Sequence, residues 1–274
     1  MRIALLQMTG GIDPAANARL IENAIADAAS GGAAMLFTPE MSNFLDRNRK
    51  RAVDTIRSED RDMVLDTARK AAARHGIWVA LGSIAVTGEE GKEWCNRAVV
   101  IDDKGGVRAR YDKMHLFDVD LETGESWRES AVYAGGEGPV LVETPLGPVG
   151  LSICYDLRFP ALYERLSDAG AKILTVPAAF TVPTGEAHWH VLLRARAIEA
   201  TAYVIAAAQT GAHEDGRETY GHSLVIDPWG RVLLDMGTGP GLGFADLDPA
   251  EPGRIAARVP SLANRRKIGE VRRC

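Results

Sequence analysis

Cysteine is scarce in this sequence: three in 274 residues, at Cys95, Cys154 and Cys274. An odd and sparse set argues against a disulfide framework and for a reducing compartment. Long apolar runs are missing too, and nothing approaches the roughly 20 residues that a membrane span needs. The opening Met1-Arg2-Ile3-Ala4-Leu5-Leu6-Gln7-Met8 is too short an apolar run for a secretory signal. Together these absences predict a cytoplasmic protein. Excess positive charge is lacking as well. The net charge is −5, and the 25% of residues that are charged intersperse both signs, so nothing resembles the footprint of a nucleic-acid binder. No like-charge run is long enough for a tail. There is no internal repeat, low-complexity segment or linker. H-E-x-x-H and paired C-x-x-C patterns are both missing, which gives a metal site little support.

What is present is a chain with 46% hydrophobic residues, enough for a sizeable core. Arg2 to Met8 reads as a buried strand, Asn17 to Ala29 as a helix stopped by Gly31-Gly32, and Ala34 to Phe37 as a second strand. This is a β-α-β unit, so the two strands are expected to be parallel. Ligands gather at the carboxyl ends of such strands, and Glu40 sits at one. Glu59 to His75 reads as a helix with Met63, Leu65, Ala68, Ala71 and Ala72 on its apolar side. Strands follow at 77–86, 96–102 and 107–111, with a turn at Gly88-Glu89-Glu90-Gly91. The segment 117–137 reads as a long loop with a short helix, and loops of that length inside a compact domain are usually functional. Strands at 140–144 and 149–154, a helix at 161–169, a strand at 173–176, a helix at 190–200 and a strand at 203–208 complete the pattern. A hairpin over 223–235 turns at Asp227-Pro228-Trp229-Gly230. The alternation predicts one α/β domain over residues 1–274, with a mixed sheet or two packed sheets flanked by helices. Its polar tail from Asp248 wraps a surface or a partner subunit.

Cys154 ends an apolar strand and precedes a helix start near Pro160. One reading is a small buried apolar residue. The other is a nucleophile, because a helix N-terminus supplies unpaired N–H groups and partial positive charge that lower a thiol pKa and hold an oxyanion. Cys95 and Cys274 lack that setting. A base is then required. None of the six histidines (His75, His115, His188, His190, His213, His222) sits at a strand end with an evident carboxylate partner. Glu40 and Lys113 each follow a strand, and each alone has solvent exposure as its plain explanation.

Taken together they gain meaning. Phe37-Thr38-Pro39-Glu40, Tyr111-Asp112-Lys113-Met114-His115-Leu116 and Ile153-Cys154-Tyr155-Asp156-Leu157-Arg158-Phe159-Pro160 resemble, in order, the three catalytic motifs of the nitrilase superfamily of carbon–nitrogen hydrolases. Further stretches look most like its Nit branch: 177–181, His188-Trp189 with 194–199, and Tyr220-Gly221-His222-Ser223 with 227–230. The resemblance implies an α-β-β-α sandwich that packs into a homodimer or larger homo-oligomer. It implies an amidase with no cofactor and no metal, acting through a cysteine thioester. Glu40 is then the general base. Lys113 and the backbone N–H at Tyr155 hold the oxyanion, and Glu129 orients Lys113 and the amide. Arg158, four residues past the cysteine, either grips a substrate carboxylate or makes a structural salt bridge. Phe180 and Thr181 follow a strand end and line the pocket. Arg194 and Arg196 are helix-face residues.

The Nit-branch stretches favour deaminated glutathione as substrate. Alternatives are 2-oxoglutaramate, an N-carbamoyl amino acid, or a non-catalytic binding relative. Asp112, where the family often has arginine, and Thr38, where other members have phenylalanine, depart from the pattern and leave the substrate open.

Overall fold

Alternation in the first strand sets the architecture. In Arg2–Gln7, Ile3 and Leu5 enter one core while Ala4 and Leu6 enter another. A strand buried on both faces needs a layer on each side. On one side lie the helices Pro14–Ser30 and Met63–His75, through Ile21, Ile25, Leu65 and Ala68. On the other lies a second sheet, contributing Val149, Leu151, Ile173 and Val204 to the shared core. The helices Pro160–Asp168 and His190–Ala200 close the stack with Leu162, Leu166, Leu193 and Ala197. The fold is therefore an α-β-β-α sandwich.

This computed structural model describes residues 1–88, 93–120, 124 and 126–273. Cys274 and most of the turn expected from Gly88 to Gly91 lie outside the described residues.

Among the described residues there are two six-stranded sheets. The first runs Gly241–Asp246, Arg2–Gln7, Met35–Phe37, Trp78–Thr87, Trp94–Ile101, Val107–Asp112. The second, taken from Val140–Thr144, runs Gly147–Leu151, Ile173–Thr175, Tyr203–Ala206, Leu224–Ile226, Val232–Asp235. Read in these directions, both sheets show one antiparallel pair, two parallel pairs and two antiparallel pairs. The topology is thus duplicated although the sequence shows no repeat. Side-chain identity is free to drift where only burial and direction are required.

Helix ends follow local chemistry. The Asp13 carboxylate caps the first helix through the Ala15 N–H at 2.9 Å, and Asp62 caps the second through Leu65 N–H at 2.8 Å. Gly76 ends that second helix in the left-handed region at φ +64°. This helix begins at Met63, not Glu59, after a 3₁₀ turn at Glu59–Arg61. Met63 is therefore exposed at its N-terminus, and Val64 takes the buried place expected for it.

The segment 117–137 is more ordered than a long loop. It carries a small hairpin, Asp118–Asp120 with Ser126–Arg128, and a 3₁₀ turn at Glu129–Ala131. Polar sequence also hid a helix at Arg49–Thr55, a hairpin of Thr210–Ala212 with Glu218–Tyr220, and the edge strand Gly241–Asp246. After Asp248 a short helix, Glu251–Arg258, buries Ile255, and Arg265 pairs with Asp168.

Candidate active site

The second strand ends at Phe37, and the chain turns sharply through Thr38-Pro39-Glu40. Gly82 permits that turn. A Cβ there would lie 2.0 Å from the Thr38 carbonyl oxygen and 2.6 Å from that of Pro39. Thr38 holds the turn from within, its hydroxyl accepting from Gly82 N–H at 3.0 Å and meeting Ser42 Oγ at 2.9 Å. Glu40 is delivered buried, 4% exposed, beneath the opening of a cavity of about 650 Å³.

Around this carboxylate the donors are fixed. Glu40 Oε1 accepts from Lys113 Nζ at 3.0 Å and Asn96 Nδ2 at 2.9 Å, and Oε2 accepts from Ala179 N–H at 2.9 Å. Lys113, directly after the strand Val107–Asp112 and 2% exposed, also donates to Glu129 Oε2 at 2.8 Å. Glu129 is held in turn by Phe117 N–H at 2.7 Å and by Asn96 Nδ2 at 3.2 Å. The Cys154 thiol sits beside Glu40, and its interaction helps lower that carboxyl. Glu40, Lys113, Glu129 and Cys154, spread over more than a hundred residues, thus form one buried cluster on the cavity wall.

The cysteine does not end a strand. Its strand stops at Leu151, and Cys154 opens a 3₁₀ turn, Cys154–Arg158, with φ at +50°. A non-glycine residue in that region persists only when its surroundings fix it. Here Cys154 N–H donates to Pro177 O at 2.9 Å, while Asp156 Oδ2 accepts from Ile153 N–H at 2.9 Å and Tyr111 Oη at 2.7 Å. Asp156 Oδ1 takes His115 N–H at 3.0 Å and meets His115 Nδ1 at 2.7 Å. One buried carboxylate therefore locks the cysteine turn to the lysine segment. The Tyr155 N–H lies in the first turn, where the helix itself supplies no acceptor.

Charge in the cluster differs from the expectation of a lowered thiol pKa. Burial pushes the Cys154 thiol well above its ordinary 9.0, the Glu40 charge adds to that, and Lys113 opposes both without reversing them. Burial also presses Glu40 upward, but Lys113, the thiol and Asn96 outweigh it, and the carboxyl ends below its ordinary 4.5. Burial disfavours the Lys113 ammonium, yet Glu129 and Glu40 raise it well above 10.5. The resting arrangement is a neutral thiol beside a carboxylate and an ammonium.

Other expectations sort clearly. Tyr155, Arg158, Phe180 and Thr181 all line the cavity. Among the described residues no carboxylate pairs with Arg158; its guanidinium meets His188 Nδ1 at 3.3 Å and lies over the rings of Tyr155 and Phe180 at 5.9 and 5.7 Å. Arg196 is not a helix-face residue. It is buried, over the Tyr163 ring at 5.3 Å, and grips Leu157 O at 3.0 and 3.1 Å. Neither Asp112 nor Thr38 lines the cavity, and Asp112 instead pairs bidentately with Arg97 at 2.7 and 2.8 Å.

Histidines do find carboxylates, through pairings distant in sequence. His115 meets Asp156, and His190 and His222 bracket Asp235 at 3.0 and 2.8 Å. Those last three have donor atoms close enough for a metal ion, but the cluster lies outside the cavity, which no histidine lines among the described residues. Sequence reasoning missed Asn96, Asp156 and Asn96's bridging of two glutamates. The only signal available was a polar residue inside apolar strands or motifs.

A cavity with a neutral thiol beside a buried carboxylate and an ammonium defines a class: a cysteine-dependent hydrolase of small molecules. Residues 2–257 match the carbon–nitrogen hydrolase family, and the chain belongs to it. It is a hydrolase of amide carbon–nitrogen bonds, of the nitrilase superfamily and its Nit branch. Deaminated glutathione amidase from Synechocystis sp. is 43% identical over 267 residues, 96% of this chain and 97% of that protein. The nitrilase and fragile histidine triad fusion protein of Caenorhabditis elegans superposes with a TM-score of 0.90 at 38% identity, over 97% of this chain and 65% of the fusion. The chain thus spans about two thirds of the fusion's length. An amidase from Nesterenkonia sp., solved as a glutamate-to-glutamine variant with acrylamide added to its active-site cysteine, has a TM-score of 0.78 at 29% identity, over 95% of this chain and 98% of that one.

Proposed function

We propose that this protein hydrolyses deaminated glutathione to 2-oxoglutarate and cysteinylglycine, with Cys154 as nucleophile and Glu40 as its base. The buried contact among Cys154, Glu40, Lys113 and Glu129 carries this reading. Its Synechocystis relative supports the substrate.

In the reaction the substrate carbonyl oxygen lies against Lys113 Nζ and the Tyr155 N–H. Glu40 takes the thiol proton as sulfur bonds to the carbonyl carbon, so no standing thiolate is needed. The two donors stabilise the oxyanion that forms. Glu40 returns the proton to the amide nitrogen, the carbon–nitrogen bond breaks, and the amine leaves. Water then loses a proton to Glu40 and attacks the thioester. Collapse breaks the sulfur–carbon bond, and the proton on Glu40 goes back to Cys154. Glu129 keeps Lys113 aimed and the ammonium charge balanced. Arg158, free of a carboxylate partner among the described residues, receives the 2-oxo acid end of the acyl group through its fork.

Turnover of deaminated glutathione, followed by release of cysteinylglycine, tests the reading. Cys154→Ala is expected to abolish it with an unchanged circular dichroism spectrum, and mass spectrometry of wild-type enzyme should show an acyl adduct on Cys154. A Cys154→Ala enzyme of full activity would overturn the assignment. Exposed Val191, Ile198 and Trp229 support a further part of the reading, that two copies of the chain associate through this face.

A further inference from the structure

Five arginines border the cavity: Arg47, Arg49, Arg128, Arg158 and Arg217. Two of them are committed elsewhere. Arg128 pairs bidentately with Asp120 at 2.8 and 2.9 Å, and Arg49 donates to Arg128 O at 2.8 Å. Arg47 is exposed. Arg217 differs from these three. Only 16% of its side chain is exposed, and its Nε is fixed on Asp215 Oδ2 at 2.7 Å. Asp215 is itself anchored, fully buried at its side chain, by Arg47 N–H at 2.9 Å and Arg217 N–H at 3.1 Å. The guanidinium lies 5.0 Å over the Trp127 ring. Among the described residues its two terminal nitrogens have no acceptor. An arginine with its back edge fixed and its fork open has little side-chain entropy left to lose on meeting a carboxylate.

Position makes this more than a spare charge. From Arg217 the cavity rim runs through Trp127, Phe117 and Tyr155 to Arg158, with successive separations of 5.0, 6.3, 5.1 and 5.9 Å. One guanidinium stands at each end of an aromatic rim. Arg217 is on the Glu129 side, close enough that its charge, like that of Lys113, opposes the burial that raises the Tyr133 phenol. Arg158 is on the Phe180 side. Deaminated glutathione carries a carboxylate at each end of a tripeptide-like frame, one on the acyl group and one on the amine that leaves.

Resting on the proposed substrate, we infer that Arg217 is a specificity-determining residue that binds the carboxylate of the leaving group, the C-terminus of the departing dipeptide. Asp215 is its positioning residue. Arg158 grips the acyl end of every substrate; Arg217 meets only those whose amine ends in a carboxylate.

The test compares kcat/KM on deaminated glutathione, on its C-terminal amide and on 2-oxoglutaramate, whose leaving group is ammonia. Wild-type enzyme should prefer the free acid over its amide by roughly 10- to 100-fold. Arg217→Gln should lose that factor on deaminated glutathione, mostly in KM, and change less than about twofold on 2-oxoglutaramate. Arg158→Gln should impair both substrates. Equal losses on both substrates in Arg217→Gln would mark a structural role and overturn the inference. So would a wild-type enzyme indifferent to the amide. Wild-type enzyme without turnover of deaminated glutathione would instead remove the substrate reading beneath it.

Discussion

At the scale of single residues, the site keeps its charges where the reaction begins and its thiol neutral. This has a pH consequence. The folded-state pKa of Glu40 is lowered, so its contribution to stability is present above about 4.5 and is lost as pH falls through the lower folded value. Lys113 is raised, so its contribution is complete below about 10.5 and is lost only as pH rises beyond that. Cys154 is raised too, which favours the folded state below 9.0 and erodes that gain above it. Across the interval the carboxylate, ammonium and thiol do not change. The expected kcat/KM profile for a small amide is therefore flat from about pH 5 to about pH 9, without the limb that an ordinary free thiol would give near 8.5. A limb there would mean that the thiolate is the resting species. Replacing Glu40, the proposed base, tests the same chemistry: Glu40→Gln should lower kcat about 10²- to 10⁴-fold, read by ammonia or amine release, because proton transfer is lost while most of the hydrogen bonds remain.

At the scale of elements, the cysteine turn is held less by its own sequence than by what it reaches. Asp156 accepts from Tyr111, Ile153 and His115, joining the turn to the segment that bears Lys113. Arg196 clamps the far end of the same turn at Leu157 O. Asp156→Asn keeps the shape but puts a donor where two donors already point. It should cost about 2–4 kcal/mol in urea denaturation and lower kcat as well, since Lys113 and Cys154 lose their common anchor. Wild-type stability and activity in that variant would show that the anchor is dispensable. Much of the element pattern was legible in the sequence, because a period of 2 or 3.6 in apolar residues survives whatever the strand or helix packs against. The helix His190–Ala200 has the predicted bounds. Glu40, Lys113 and Cys154 were legible through their motifs. Asn96 was not, since its partners Glu40 and Glu129 are 56 and 33 residues away. Arg196 carried the spacing of a surface residue and is buried by a loop carbonyl. Arg217 belongs to none of the motifs, and only the hairpin of Thr210–Ala212 with Glu218–Tyr220 brings it to the cavity.

At the scale of the whole molecule, the site lies on the seam between two topologically equivalent halves. Glu40 follows the strand Met35–Phe37, and Ala179 follows Ile173–Thr175, which occupies the corresponding place in the second sheet. The Ala179 N–H donates to Glu40 across that seam. Neither half alone holds Glu40 in position, so sandwich integrity and the proposed activity are coupled. The outer face of the second half has a separate consequence. Val191 is 69% exposed, Ile198 50% and Trp229 47%, on the helix His190–Ala200 and the neighbouring hairpin turn. Ile198 Cδ1 lies over Gly230, so helix and turn meet at this face. Exposed apolar surface costs free energy in water, roughly 25 cal/mol for each Å². Burying it against a second copy removes that cost on both subunits, as a two-fold interface does. Wild-type protein at micromolar concentration is expected to sediment at twice the 29.5 kDa chain mass. Ile198→Glu, which places a charge among these apolar side chains, should weaken association at least about tenfold and shift the mass toward a single chain. Arg217, Trp127 and Arg158 line the cavity, and none of them is among those exposed apolar residues. Turnover per chain should therefore survive in the dissociated variant. A wild-type chain that sediments as a monomer would remove the association, and loss of turnover on dissociation would mean that the partner shapes the cavity.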